Sequence, residues 1–255
     1  TNDLEVDGAV TSTSSIYVDE LSTIGANVTT SGTQTYTGAV TLSNDVTLTT
    51  TDSNITFGST LRSDDAETPR DLTIDLDAND NGTTADLIIN GVVGGSSLPL
   101  DVITITGDLD LNASIGNSPG ATSLEVSGTA NLGANVETTG TQTYTGAVTL
   151  SNDVTLTTTD SNVSFLSTMD GDGTARDLTI DTNGNTGTVL FDGLVGSSNN
   201  LDAIAITGNL DLDAAIDNTT SLEVSGTSNL GANVTTTGTQ TYTGAVTLSN
   251  DVTLT

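Results

Sequence analysis

The chain has 255 residues, 33 Asp and Glu against three Arg, a formal charge of −30, and no Lys, His, Cys or Trp. Nucleic-acid affinity rests on phosphate neutralisation by Lys and Arg, so that function is excluded, and an anionic membrane surface repels such a chain for the same reason. Absent cysteine removes disulfides and thiolate metal sites and leaves the redox compartment open, while absent histidine removes the usual nucleophilic triads.

Phe and Tyr total only seven, so the core has to come from Val, Leu, Ile and Ala, with Thr covering the outside. Thr and Val favour strands, and no segment carries sustained helical periodicity. No apolar run approaches the length of a membrane span and no signal peptide opens the chain. Thr1 is not a natural start and Thr255 falls inside a repeated segment, so a window cut from a longer protein is expected.

In chain order, the first clear element is "IYVDELSTIGANV" from Ile16, followed by "GTQTYTGAVTLSNDVTL" from Gly32 to Leu48. Strands expose alternate residues to opposite faces. Tyr36, Val40, Leu42, Val46 and Leu48 share one parity, and Thr33, Thr35, Thr37, Thr41, Thr47 and Thr49 share the other. One face is therefore aliphatic and the other hydroxylic. The turn-like "TTDSN" shifts the phase, after which Ile55 and Phe57 take the inner face. Next comes the turn-rich "LRSDDAETPRDLTIDLDANDNGTTADLIINGVVG", and then Ile103, Ile105, Leu109 and Leu111 alternate with Thr104, Thr106, Asp108 and Asp110.

From Leu124 the order starts again with "LEVSGTANLGANV", and from Leu222 with "LEVSGTSNLGANV". The seventeen residues that began at Gly32 recur unchanged from Gly140 and from Gly238. Long repeats are thus expected at 16–123, 124–221 and 222–255, the last partial, in one continuous solenoid spanning 1–255. The ten residues that separate the first two copies in length fall in stretches rich in Asp, Asn, Gly, Ser or Pro, which are turn residues. In the second copy Ile204, Ile206, Leu210 and Leu212 repeat the alternation.

Strand-like runs return at roughly 20-residue intervals, the period of one solenoid coil. The expectation is an all-β, parallel β-helix of about twelve coils, roughly 60 Å long at ~4.8 Å per coil. A sandwich or closed barrel is the competing reading, but copies differing by ten residues would scramble it, whereas a solenoid absorbs length changes in its corners. Two accounts of the invariant seventeen residues stand together. Either stacked coils demand matching inward side chains, because a one-residue slip would turn every aliphatic outward, or recent duplication alone has kept the copies alike.

The words "TGTQTYTGAVTLSNDVTLTT", "SNITFGST" or "SNVSFLST", and "RDLTID" resemble the repeats of filamentous-haemagglutinin-like exoproteins of Gram-negative bacteria, exported by two-partner secretion. The resemblance covers nearly all of the first two copies and the third fragment. It implies a right-handed parallel β-helix at the cell surface, serving as a stalk in adhesion or biofilm contact. No secretion domain or receptor-binding domain is recognisable here, and the acidity exceeds that of a typical member and suggests a saline or calcium-rich setting.

Several groups invite chemistry. Asp77, Asn79, Asn81 and Gly82 fit the opening of a calcium loop, with Asp75 and Asp86 nearby, because such spacing aims hard oxygens of a turning backbone at one cation. The bidentate Glu of an EF-hand is missing, and Ile88 stands in its place. In the second copy Asp181, Asn183 and Asn185 keep the spacing, with Thr186 replacing the glycine, and Asp170 and Asp172 make another acidic corner. The alternative for all of them is a solvated Asp/Asn turn.

Thr33/Thr35/Thr37 and Thr47/Thr49, with their copies Thr141/Thr143/Thr145 and Thr239/Thr241/Thr243, offer hydroxyl ranks resembling those of ice-binding solenoids, although outward Thr is also ordinary in strands. Arg70 and Arg176 precede "DLTID" in their copies, where a local ion pair would anchor a corner. Seven Asn-x-Ser/Thr sequons, Asn54 and Asn162 among them, admit glycans in a suitable host. Paired carboxylates across a cleft, which glycoside hydrolysis needs, are not indicated.

The sequence is therefore read as a non-enzymatic, extracellular shaft segment of a large surface adhesin or fibre. Its partners would be further solenoid repeats end to end, with lateral self-association and with Ca2+ as the one candidate cofactor. A calcium-dependent fibre subunit that joins end to end is the rival.

Overall fold

The computed structural model describes residues 3–79, 82, 84–95, 97–116, 120–184 and 186–255. The described chain is all-β, with about 11 turns of parallel β-solenoid at ~21-residue spacing, against the dozen turns of about 20 residues expected. It falls into two compact units, Thr1–Gly128 and Thr129–Thr255.

In the first unit each turn contributes to three faces, by a short strand or by a single bridge. The first face stacks Leu4–Val6, Ser22–Ile24, Val40–Leu42 and Leu61–Ser63, and continues through single bridges at Val93 and Ile115. The second face stacks Val10–Thr13, Val28–Thr30, Val46–Thr49, Arg70–Asp75, Leu100–Thr106 and Ala121–Val126. The third stacks Ile16–Val18, Gln34–Tyr36, Ile55–Phe57, Asp86–Ile89 and Asp108–Leu111.

The second unit repeats the plan. Ala130–Leu132, Val148–Leu150 and Met169–Gly171 form one face, extended through Val195 to Ile216–Thr219 and Val234–Thr236. Val136–Glu137, Val154–Thr157, Leu178–Asp181, Ala203–Thr207, Ser221–Val224 and Gln240–Tyr242 form another. The third holds Gln142–Tyr144, Val163–Phe165, Thr188–Phe191, Asn209–Leu212, Ser228–Leu230 and Val246–Leu248.

Neighbouring strands run parallel within each unit, and one isolated antiparallel bridge, Thr51 with Asp77, lies at a corner. This is the arrangement that period-two alternation and tandem repetition require when consecutive strands are too short to pack as a sandwich. The inward positions expected from parity are buried: Tyr36, Val40, Leu42, Val46, Leu48, Ile55, Phe57, Ile103, Ile105, Leu109 and Leu111, and in the second unit Ile204, Ile206, Leu210 and Leu212.

Inside, like residues lie over like. Tyr36 stacks on Phe57 with ring centroids 5.5 Å apart, and Tyr144, Phe165 and Phe191 form a three-ring column with centroid spacings of 5.3 and 5.2 Å. Two stretches show a finer period than the coil. Buried pairs recur every six residues at 22/24, 28/30, 34/36, 40/42 and 46/48, and again at 130/132, 136/138, 142/144, 148/150 and 154/156. Each pair is one face, and three faces make an 18-residue coil.

The differences in length between copies sit in the corners. Leu61 stacks under Val93, whereas its equivalent Met169 stacks under Val195 after a shorter excursion. Corners also bring backbones very close. A Cβ added to Gly193 would lie 2.1 Å from the carbonyl carbon of Ser167, and one at Gly91 equally close to that of Ser59. Glycine is required there because the approaching atoms are main chain and cannot swing aside.

Candidate functional site

The acidic and amide residues of the corners act mainly on the next coil. In the first unit Asn27 Oδ1 accepts the Thr47 amide (2.9 Å), Asp45 Oδ1 that of Asp71 (3.1 Å), Asp71 Oδ1 that of Val102 (3.0 Å) and Asn54 Oδ1 that of Asp86 (3.0 Å). In the second unit Asn135, Asp153, Asp177, Asn162 and Asn233 do the same for Thr155, Asp177, Ala203, Thr188 and Thr253 at 2.8–3.1 Å. A backbone N–H at a strand start is left without a ladder partner where the coil below is turning. An Asx oxygen one coil back supplies the acceptor, so the amide is paired with protein even where its residue is exposed, as at Val102.

This geometry accounts for the sequons at Asn27, Asn54, Asn162 and Asn233. The Asn makes the clamp, the Val or Ile after it enters the core and the Thr or Ser faces out. It also resolves the arginines. Arg70 pairs with Asp64 and Arg176 with Asp172, each at 2.8 Å, rather than with the acids that follow them. Asp71 and Asp177 are turned instead to the amides of the coil above. The Arg176 guanidinium and the Thr174 amide hold the Asp172 carboxyl at about 2.

The residues of the candidate calcium loops occupy three corners. Asp75 Oδ1 accepts the Asp77 amide (3.2 Å), Asp77 Oδ2 accepts the Gly82 amide (2.9 Å), and Asn79 Nδ2 donates to Asp52 Oδ2 (2.8 Å). Asp181 Oδ1 accepts the Asn183 amide at 2.8 Å. Asp170 projects outward from its strand, where Oδ1 accepts the amides of Ser198 and Asn199 at 2.8 and 3.1 Å. Asn81 and Asn185 lie outside the described residues. Spacing of two along an Asp/Asn run is what an Asx turn uses, and the contacts of Asp75 and Asp181 have that form, while Asp77 closes a wider loop to Gly82. Among the described residues no three carboxylates converge on a point fit for a cation.

Asp86 stands apart from that corner, on the outer side of its strand and in register with Asp108. Partial burial and then the Asp108 and Asp110 charges push its carboxyl above the ordinary carboxylate value. The equivalent outer face of the second unit carries Asp192, Asp211 and Asp213, and Asp213 is raised by partial burial, then by the other two.

The outward Thr residues do form ranks, but short ones. Thr47, Thr73 and Thr104 are in register and Glu125 follows, while Thr35 and Thr56 are followed by Ile88 and Asp110.

A site that the alternation pattern passed over lies inside the solenoid. Gln34 is completely buried. Its Nε2 donates to Val28 O (3.2 Å), Thr30 Oγ1 (3.3 Å) and, one coil on, Thr49 O (3.0 Å), while Tyr36 Oη donates to its Oε1 (3.0 Å). Gln142 repeats every contact with Val136, Thr138, Thr157 and Tyr144, and Gln240 with Val234, Thr236, Thr255 and Tyr242, all at 2.9–3.4 Å. Burial pushes the Tyr36 and Tyr144 phenols above their ordinary value. Gln shares the inward parity of Tyr36, and that coincidence with an invariant word was the available signal.

No family model, curated protein or solved structure matches the chain.

Proposed function

We propose that this chain is a non-enzymatic, extracellular shaft segment of a large surface adhesin or fibre, of the filamentous-haemagglutinin-like kind that its repeats resemble. The observation that carries the reading is where the side chains are employed. Aliphatic and aromatic columns fill the inside of both units, and the corner Asp and Asn residues join successive coils through backbone amides. Such an arrangement transmits load along stacked coils and commits its polar groups to holding them together. The acidic, Thr-rich outside resists sideways sheet pairing, which flat unguarded strands invite.

In this reading the partners are further coils of the same long chain, and divalent ions screen the acidic flanks. The test is antibody labelling of intact source cells, before and after mild surface proteolysis, together with adhesion of a strain that lacks the gene. Protease-sensitive surface labelling and lost adhesion support the shaft. Labelling confined to permeabilised cells would overturn it. The rival, a calcium-dependent fibre subunit, is separated by sedimentation: calcium-induced, chelator-reversible oligomers of this chain favour the subunit, and an unchanged monomer favours the shaft.

A further inference from the structure

The two units carry the same corner with different chemistry. In the first unit Asn90 and Asn112 leave the third face in successive coils, and their amides donate to Phe57 O and Ile89 O, both at 2.9 Å. In the second unit Asp192 and Asp213 hold those places, donating to Phe165 O and Phe191 O, again at 2.9 Å. Gly91 lies against the Ser59 main chain, and Gly193 lies in the same way against that of Ser167. The backbone is equivalent, and the side chains are not.

In the first unit one carboxamide joins the corner. Asn112 Nδ2 donates to Asn90 Oδ1 in the coil before and to Asp110 Oδ2 on its own strand, both at 3.1 Å. In the second unit Asp211 takes the register position of Asp110, and Asp213 takes the place of the donor. Three carboxylates thus stand where the first unit has one carboxylate and two carboxamides. Asn229, one coil on, donates to Asp211 Oδ1 at 2.8 Å. Among the described residues nothing donates to the carboxylates of Asp192 and Asp213, which are one strand spacing apart, about 4.8 Å.

The other neighbours of the pair carry no charge. Leu166 precedes Asp192 in the corner column and Gly231 follows Asp213, their amides donating to Tyr144 O and Leu212 O. Arg176, the cation of this unit, is engaged by Asp172. Partial burial and then the Asp211 and Asp192 charges raise the Asp213 carboxyl above its ordinary value, so the folded form binds that proton more tightly than the unfolded form. The resulting stabilisation is complete below the unfolded carboxylate value and is lost as pH rises through the folded one.

We propose that Asp192 and Asp213 form an acid clasp: on acidification a proton taken from solvent by Asp213 supplies the donor that Asn112 supplies permanently in the first unit, and its O–H bonds to a carboxylate oxygen of Asp192. One copy of the corner is then clasped at every pH, and the other only in acid. The clasp belongs to the fold and holds whether or not the chain is a surface shaft, so the two readings fail separately.

Both side chains are exposed and screened by solvent, so the direct readout is the titration of the pair. The full chain is used with a chelator present, so that no divalent ion competes with the proton. Carboxyl 13C NMR follows the Asp213 midpoint. Asp192→Asn should move that midpoint down, and a midpoint that stays in place or rises would overturn the clasp. Asp213→Asn installs the permanent donor, so it should raise the melting temperature at pH 7, by a margin that shrinks as pH falls into the carboxylate range. Asn112→Asp should import the behaviour into the first unit, as a melting temperature lowered at pH 7 and recovered in acid. A change of the same size at both pH values, in either variant, would overturn the proposal.

Discussion

Phe165 lies between two aromatic rings, and its counterpart Phe57 lies against one. Tyr144 and Phe191 flank Phe165 with centroids at 5.3 and 5.2 Å and interplanar angles of 8° and 14°, whereas Phe57 has Tyr36 at 5.5 Å on one side and Ile89, in register, on the other. Both phenylalanines are almost fully buried in mid-unit coils that are otherwise equivalent. Replacing each by Leu keeps most of the buried apolar area and removes the ring. An aromatic pair contributes about 0.5–1.5 kcal/mol beyond its area, so Phe165→Leu loses two such terms and Phe57→Leu one.

Phe165→Leu is therefore expected to be the more destabilising by about 1 kcal/mol, on top of a common repacking cost. Urea unfolding of the full chain followed by far-UV circular dichroism measures the difference. Hydrogen exchange in the coils around 57 and around 165 then checks that each loss is local, as nearest-neighbour coupling in a solenoid implies. Equal destabilisation, or a larger effect at Phe57, would refute the idea that stacked rings stabilise the column beyond their burial.

Three further outcomes follow from particular contacts. Ser22, buried between Leu4 and Val40, has a hydroxyl with no hydrogen-bond partner, so Ser22→Ala should raise the urea midpoint by an amount equivalent to about 1 kcal/mol. Gly193→Ala should destabilise by about 1–3 kcal/mol, read in the same assay, because its Cβ would press on the Ser167 main chain. Asp86 has a raised folded-state pKa, so the folded form binds its proton more tightly than the unfolded form. The resulting relative stabilisation is complete below the unfolded carboxylate value and is lost as pH rises through the folded one. Asp86→Asn should accordingly raise the melting temperature at pH 7, and the gain should shrink as the pH falls into the carboxylate range; a pH-independent difference would count against this cause.

The sequence by itself determined which residues face inward. Strand alternation is a local property, so Tyr36, Val40 and Leu42, and later Ile103 and Ile105, were assignable to the core from parity, and tandem words with elastic corners pointed to parallel stacking. Parity has only two values, however, and offsets of eighteen and twenty residues are identical to it. The offset that sets Val28 on Leu48 is settled only after three faces have closed into a coil.

The partners of the polar residues were equally out of reach along the chain. Asp45 meets the amide of Asp71, Asp71 meets that of Val102, and Arg70 turns back to Asp64. Each such contact except the last joins one coil to the next, a distance that a linear pattern does not encode. Tertiary structure therefore decided what the acids and amides do, because a hydrogen bond depends on where the neighbouring coil places its backbone, while burial depends only on which way a side chain points.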